Sequence, residues 1–291
     1  MILVTGASGN VGTELVKKLW ARGESVRAFV RSRAHARSIT LPGLDLAEGD
    51  FNKPQSVARS LVGVDSLFLL IPSSSDVEKL QRSFVDAAKR SGVRRIVKLS
   101  QLGADERAEG RFQRYHGAVE SYIRRCGVPF TFLRPNLFMQ ALLNYRPTIS
   151  SRGAFYALAG NGKVSVIDVR DIAAAASRVL TEPGHEGKTY ELTGPEALTH
   201  TEMAEQLSRA LGKQIEYVDV APDTMRETLL SFGLPPWQVE GVVEDYEPYR
   251  RGDAARVTPT VRDLTKDEPT TFFQFAQDYA GKFTGRAAGV A

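Results

Sequence analysis

Short apolar or β-branched runs alternate with longer segments of helical period along the first half of the chain. Ile2 to Thr5, Ser25 to Val30, Asp65 to Ile71, Arg94 to Leu99 and Pro129 to Arg134 read as strands. Between the first two, Val11, Leu15 and Leu19 recur four apart, which predicts a helix ending before Gly23, where a left-handed residue is favoured. Before Val128, the residues Phe112, Tyr115, Val119, Tyr122, Ile123 and Cys126 form one apolar stripe of a second helix. Parallel strands need crossovers, and these are nearly always right-handed. Repeated strand–helix units therefore predict an α/β protein with a doubly wound parallel sheet covered by helices on both faces.

The pattern changes after the loop around Gly153 to Gly162. A strand–helix pair is expected over Val164 to Leu180 and another strand over Thr189 to Leu192. Thr199 followed by Glu202 is a capping-box signature opening a helix that carries Met203, Leu207 and Leu211, and Ile215 to Val220 reads as a strand. Phe272, Phe275, Ala276, Tyr279 and Phe283 repeat at helical spacing in one last helix, a stripe that reads as core. The expected division is a sheet domain over 1–150, with a contribution from 163–193, and a smaller α/β lobe over 194–291. The Gly- and Ala-rich tail after Phe283 is expected to be dispensable.

Composition narrows the function classes. The 291 residues are 42% hydrophobic and 25% charged, enough for one large core or a core plus a lobe. The single cysteine, Cys126, forms no internal disulfide, and with 4 histidines it leaves no Cys/His cluster, so no metal is expected. The net charge of +4 comes from arginines scattered along the chain, which does not point to nucleic acid. The longest apolar runs, such as Leu67 to Ile71, fall far short of the ~20 residues that span a bilayer, so no membrane partner is expected. A strand-like run beginning at Met1 predicts no secretory signal, and a cytoplasmic location is the expectation.

The sequence Gly6-Ala7-Ser8-Gly9-Asn10-Val11-Gly12 follows the first strand directly and opens the first helix. Glycines here permit a tight turn and close approach of backbone to ligand, while free amides and the positive end of the helix attract a pyrophosphate. In a first βα turn this spacing points to a dinucleotide and a Rossmann-type sheet; its plainer reading is a structural glycine turn. An acidic residue about 20 positions on would accept hydrogen bonds from the ribose of NAD. Arg31 stands there instead, nineteen residues past Gly12. A carboxylate repels a 2′-phosphate, whereas a guanidinium binds it bidentately, so NADP(H) is expected in preference to NAD(H). Arg27 and Arg37 read as a solvated basic face.

Further cofactor contacts are expected at the C-terminal ends of the other strands. Asp50 is a candidate for the adenine amine and Phe51 for the ring face. Leu70, Ile71 and Pro72 close the fourth strand, Ser100 and Gln101 the fifth, and Pro135 and Asn136 the sixth. Each is also an ordinary loop residue. Asn136, Phe138 and Met139 are the candidates for lining a substrate cleft.

The chain resembles the NmrA-like family of atypical short-chain dehydrogenases and reductases. The resemblance is carried by the Gly-x-x-Gly-x-x-Gly opening, by Arg31, and by His116-x-x-x-Glu120 followed by Gly127-Val128-Pro129-Phe130-Thr131-Phe132-Leu133-Arg134-Pro135. The stretch from Val179 to Tyr190 is similar to that of triphenylmethane reductases and bacterial NADPH quinone reductases within the family. The resemblance implies NADP(H), a small C-terminal lobe, and a bulky conjugated small-molecule acceptor.

Ordinary short-chain dehydrogenases exchange a proton through a Tyr-x-x-x-Lys pair, the lysine lowering the tyrosine pKa. None of the 9 tyrosines here has a lysine four residues on, and Tyr115 is followed at that spacing by Val119. A quinone, azo compound or cationic dye takes a hydride into a delocalised system and makes weaker demands on proton transfer. His116 is the catalytic candidate, as a proton donor or a wall of the acceptor site, with Tyr115 behind it; the alternative makes His116 a packing residue and Tyr115 core. Helical spacing also lets His116 and Glu120 interact. The expected activity is flavin-free hydride transfer from NADPH to a quinone-, azo- or dye-like acceptor. An NADP-binding redox sensor acting through a protein partner is the alternative, and a sugar epimerase a weaker third. The oligomeric state is left open, a homodimer included.

Overall fold

The structure, a computed structural model, describes residues 1–284. The dispensable tail predicted after Phe283 lies almost wholly outside the described residues. In chain order, β1 (Ile2–Val4), α1 (Asn10–Ala21), β2 (Val26–Val30), β3 (Asp45–Glu48) and α2 (Pro54–Ser60) come first. Next come β4 (Ser66–Leu69), α3 (Val77–Arg90), β5 (Arg95–Leu99), α4 (Arg111–Cys126) and β6 (Phe130–Pro135). The chain continues through α5 (Arg146–Arg152) and β7 (Ala154–Ala157) to α6 (Val169–Thr181) and β8 (Thr189–Leu192). It ends in α7 (His200–Leu211), β9 (Glu216–Asp219), α8 (Pro222–Ser231), α9 (Pro236–Arg251), α10 (Thr260–Thr265), α11 (Phe272–Asp278) and α12 (Ala280–Thr284).

Seven strands form one sheet in the order β3-β2-β1-β4-β5-β6-β8, and every pair from β3 through β6 is parallel. This is an α/β Rossmann-like fold. The order reverses between β1 and β4, and in open sheets ligands bind beyond the C-terminal strand ends at such a switch point. On one face α1 packs on α6, and on the other α3 packs on α4. The α1 stripe Val11, Leu15 and Leu19 is buried as its spacing requires, and Gly23 takes φ +77° just beyond the helix. In β5, alternation sends Lys98 toward α4 and Arg95 to the other side, where it donates to the carbonyls of Val179 and Glu182.

The chain divides into two compact units that differ from the expected domains. The first comprises residues 1–135 and 169–191, the second 136–168 and the chain from Leu192 onward. Residues 136–150 and 163–168 thus leave the sheet domain. The reason is packing. Met139, Leu142, Ile149, Phe155, Val164 and Val166 join Leu198, Met203, Leu207, Phe272, Phe275 and Phe283 in one core. The strand expected at Val164 is reduced to isolated bridges, Val164 with Leu198 and Phe138 with Ile167. Conversely, β7 forms inside the predicted glycine loop, because β9 offers it a parallel partner. The capping box holds: the Glu202 amide donates to the Thr199 hydroxyl at 3.1 Å, and the Thr199 amide to the Glu202 carboxylate at 2.7 Å. The predicted last helix is two short ones that meet at Tyr279, with Phe272, Phe275 and Phe283 still buried.

Candidate functional site

The turn after β1 has no room for side chains at two of its glycines. Gly6 adopts φ +63°, and a Cβ there would lie 2.8 Å from the Leu70 side chain. A Cβ on Gly12 would lie 2.1 Å from the Gly6 carbonyl oxygen, so the first turn of α1 packs directly against the loop. Gly9 is the N-cap of α1 and carries no side chain to cap it, which leaves the amides of the first turn to a ligand. Thr5 ties this loop to the neighbouring strand end: its hydroxyl meets the Phe68 carbonyl at 3.0 Å and accepts from the Leu70 amide at 2.8 Å. Gly6, Ala7, Ser8, Gly9, Asn10, Val11 and Gly12 therefore form a cradle at the switch point that fits a pyrophosphate.

Arg31 follows β2, exposed, and makes no ion pair among the described residues. Its neighbours differ. Arg33 pairs with Glu48 at 3.0 Å. Arg27, expected on a solvated face, is instead a structural tie: it pairs with Asp45 at 2.7 Å and donates to the carbonyls of Ser60 and Val62. The side chain of Arg37 lies outside the described residues. Asp50 accepts from the Asn52 amide at 2.9 Å, and that backbone hydrogen bond leads in holding its carboxyl below the ordinary range. Phe51 is partly core, with its ring centroid 5.0 Å from that of Phe29 and 6.0 Å from that of Phe84. Beyond β4, Ile71 is buried, Leu70 half-buried and Pro72 exposed.

The face of β5 and β6 toward α4 holds a polar network that the helix spacing alone did not predict. Glu120, with no exposed surface, accepts from Arg134 at 2.9 and 2.6 Å, from Ser100 at 2.6 Å and from Arg124 at 3.0 Å. Its carboxylate is thereby used up, and His116 does not bond to it. Instead Nδ1 of His116 lies 2.6 Å from Nζ of Lys98, which also donates to the Leu99 carbonyl at 3.2 Å. The Ser100 hydroxyl, a cofactor candidate, is likewise committed to Glu120. Tyr115 is 6% exposed; its hydroxyl is 3.0 Å from that of Ser73, beyond β4, and its ring lies 4.2 Å from the imidazole of His116.

Lys98 was missed in the sequence, although a lysine between Val97 and Leu99 in a central strand was the available signal. Burial pushes its pKa down to about 7, with Glu120 opposing and Arg134 adding to the shift. Burial, then the charges of Lys98 and Arg134, hold His116 well below its ordinary value, so the imidazole is neutral near pH 7.

In the second unit, every polar atom of the Asn136 side chain is engaged. Its amide nitrogen donates to Ser165 at 2.8 Å and to the Ala254 carbonyl at 2.9 Å, and its oxygen accepts from the Leu137 amide at 2.8 Å. Asn136 therefore serves as a staple rather than a free contact. Phe138 and Met139 line a cavity of about 20 Å³ with Tyr145, Phe155, His200 and Tyr246. Nδ1 of His200 is buried there without a partner among the described residues. Pro135 accepts from the Leu102 amide at 2.9 Å, and Gln101 is half-buried. Among the described residues no group of His, Cys, Asp and Glu could hold a metal ion, and no helix is long and apolar enough to cross a membrane.

A glycine cradle at the switch point with a basic residue after β2 is the arrangement the sequence motif implied. Residues 1–256 match the NmrA-like family. The chain belongs to that family. It is 35% identical over 283 residues to an NAD(P)H azoreductase of Xenophilus azovorans, covering 97% of this chain and 99% of that relative. Among solved structures it is similar to the NADPH-dependent quinone oxidoreductase of Escherichia coli complexed with NADPH, at TM-score 0.85 and 29% identity, covering 96% of this chain and 99% of the other. It is also similar to the Citrobacter sp. triphenylmethane reductase complexed with NADP(H), at TM-score 0.83 and 28% identity, covering 96% and 99%.

Proposed function

We propose that this oxidoreductase uses NADPH to reduce a quinone-, azo- or dye-like conjugated acceptor by direct hydride transfer, without a Tyr-x-x-x-Lys pair. The reading rests on the glycine cradle beside an Arg31 that has no ion-pair partner among the described residues. The azoreductase, quinone reductase and triphenylmethane reductase relatives support it. When bound, the nicotinamide supplies the hydride.

The chain's own residues supply position. Gly6 to Gly12 take the pyrophosphate on backbone amides and Arg31 takes the 2′-phosphate. Asp50 and Phe51 border the adenine, and Leu70, Ile71, Pro72 and Gln101 line the strand ends beyond. Phe138 contacts the acceptor, on backbone that Asn136 pins through Leu137, while Met139 packs fully buried in the core. Tyr115 has Val119, and no lysine, four residues on to activate it. Orientation of two bound reactants supplies most of the barrier reduction.

A panel of quinones, azo dyes and triphenylmethane dyes incubated with NADPH tests this. At least one acceptor is expected to oxidise NADPH well above the buffer rate, with deuterium from one C4 face recovered in a product whose accepting atom is carbon. No oxidation across the panel would overturn the reading.

A further inference from the structure

Lys98 has no place in the proposed hydride transfer, yet it is a fully buried lysine in a central strand, hydrogen-bonded to an imidazole. A cation there is costly, and natural chains leave lysine inside only when something holds it. The apolar side chains of Leu69 and Phe132 flank it on the paired strands. The charged and titratable groups that face it are Glu120 and His116 from α4 and Arg134 from β6. As an ammonium Lys98 can only donate, so in that state Nδ1 of the neutral His116 accepts from it and the ring proton sits on Nε2. That nitrogen makes no hydrogen bond among the described residues, and the residue is only half-buried. The His116 ring lies 4.2 Å from that of Tyr115, whose hydroxyl reaches Ser73 beyond β4.

We propose that Lys98 is a positioning residue and proton source for His116, which it holds as the Nε2–H tautomer so that Nε2 can protonate an acceptor reduced to an oxyanion. The inference deepens the proposed reductase activity and rests on it. A quinone that has received a hydride is a hydroquinone monoanion. Its oxygen takes the proton from Nε2 as Nδ1 takes one from the Lys98 ammonium, leaving a neutral imidazole and a neutral amine. Afterwards water returns a proton to Nε2, and the Nδ1 proton goes back to Lys98. No electrons move in these steps. A lysine that titrates near neutrality loses and regains its proton without a large penalty in either direction.

Acceptor chemistry provides the control. A cationic triphenylmethane dye becomes neutral on taking a hydride at carbon and needs no proton, whereas a quinone does. With Lys98→Met at pH 7, quinone turnover is expected to fall about a hundred-fold relative to dye turnover, the lower end of general acid effects. The wild-type quinone rate should decline as pH rises through about 7, and the dye rate should not follow it. Nitrogen NMR of the histidine-labelled full-length protein, with and without NADPH, should show His116 as the Nε2–H tautomer in the wild type and a loss of that preference in Lys98→Met. Equal losses on quinone and dye would overturn the proposal, as would a wild-type His116 protonated on Nδ1, a measurement that stands even if the variant fails to fold. A wild type that oxidises NADPH with no quinone, azo or triphenylmethane acceptor would instead overturn the reductase reading, while the NMR still decides whether Lys98 sets the tautomer.

Discussion

Arg134 grips the buried carboxylate of Glu120 in a fork, Nε at 2.9 Å and Nη2 at 2.6 Å, and so joins the end of β6 to the middle of α4. Ser100 and Arg124 complete the shell around the carboxylate. Breaking one side of a buried pair strands the other charge, at a cost of about 3–5 kcal/mol. Glu120→Ala is therefore expected to lower the melting temperature strongly in differential scanning calorimetry. A Tm within a degree or two of the wild type would show that water satisfies Arg134 instead.

Cofactor choice should follow Arg31. Replacing it by Glu puts a carboxylate where the 2′-phosphate is expected, and the loss of a charge-assisted hydrogen bond is worth about 1.5–3 kcal/mol. Isothermal calorimetry should record that loss for NADPH and little change for NADH. Equal losses for both would remove Arg31 from the phosphate site.

Gly12→Ala is expected to weaken NADPH and NADH alike, because the added methyl meets the Gly6 carbonyl at 2.1 Å and displaces the loop from α1. Overpacking of this kind costs about 1–3 kcal/mol of stability. Comparing the binding loss of Gly12→Ala with that of Arg31→Glu separates pyrophosphate recognition from discrimination between the two cofactors.

His200 makes the second core sensitive to acid. Burial pushes its pKa down to about 4, with Asp219 opposing. Between pH 6.5 and 4 the unfolded chain then binds a proton that the folded chain does not. Stability is fully present above 6.5 and falls as pH drops through that window, by about 3 kcal/mol if the imidazole stays neutral throughout. In urea titrations across this range, His200→Phe should flatten the His200 part of the slope. An unchanged slope would mean that the buried ring is already protonated or relieved by solvent.

Much of the first unit was legible in the sequence because its signals are local. Strand and helix periods are properties of neighbouring residues, and a glycine at Gly6 or Gly12 records a backbone constraint inside a single βα turn. The capping box at Thr199 and Glu202 likewise closes within four residues. What tertiary structure decided was pairing at long range. The Ala-Phe-Tyr-Ala of β7 becomes a strand only because β9, some sixty residues later, lies beside it. His116 and Glu120 share a helix face, and spacing allowed them to meet. The carboxylate was taken by Arg134 and Ser100 from two different strands, and the imidazole by Lys98 from the centre of the sheet. Asn136 looked like a free loop amide until Ser165 and Ala254 claimed both its donors. Local sequence determines which conformations and partners are accessible to a side chain. Which partner wins depends on burial, since a charge or donor inside the fold must be satisfied by whatever group the distant chain brings within reach.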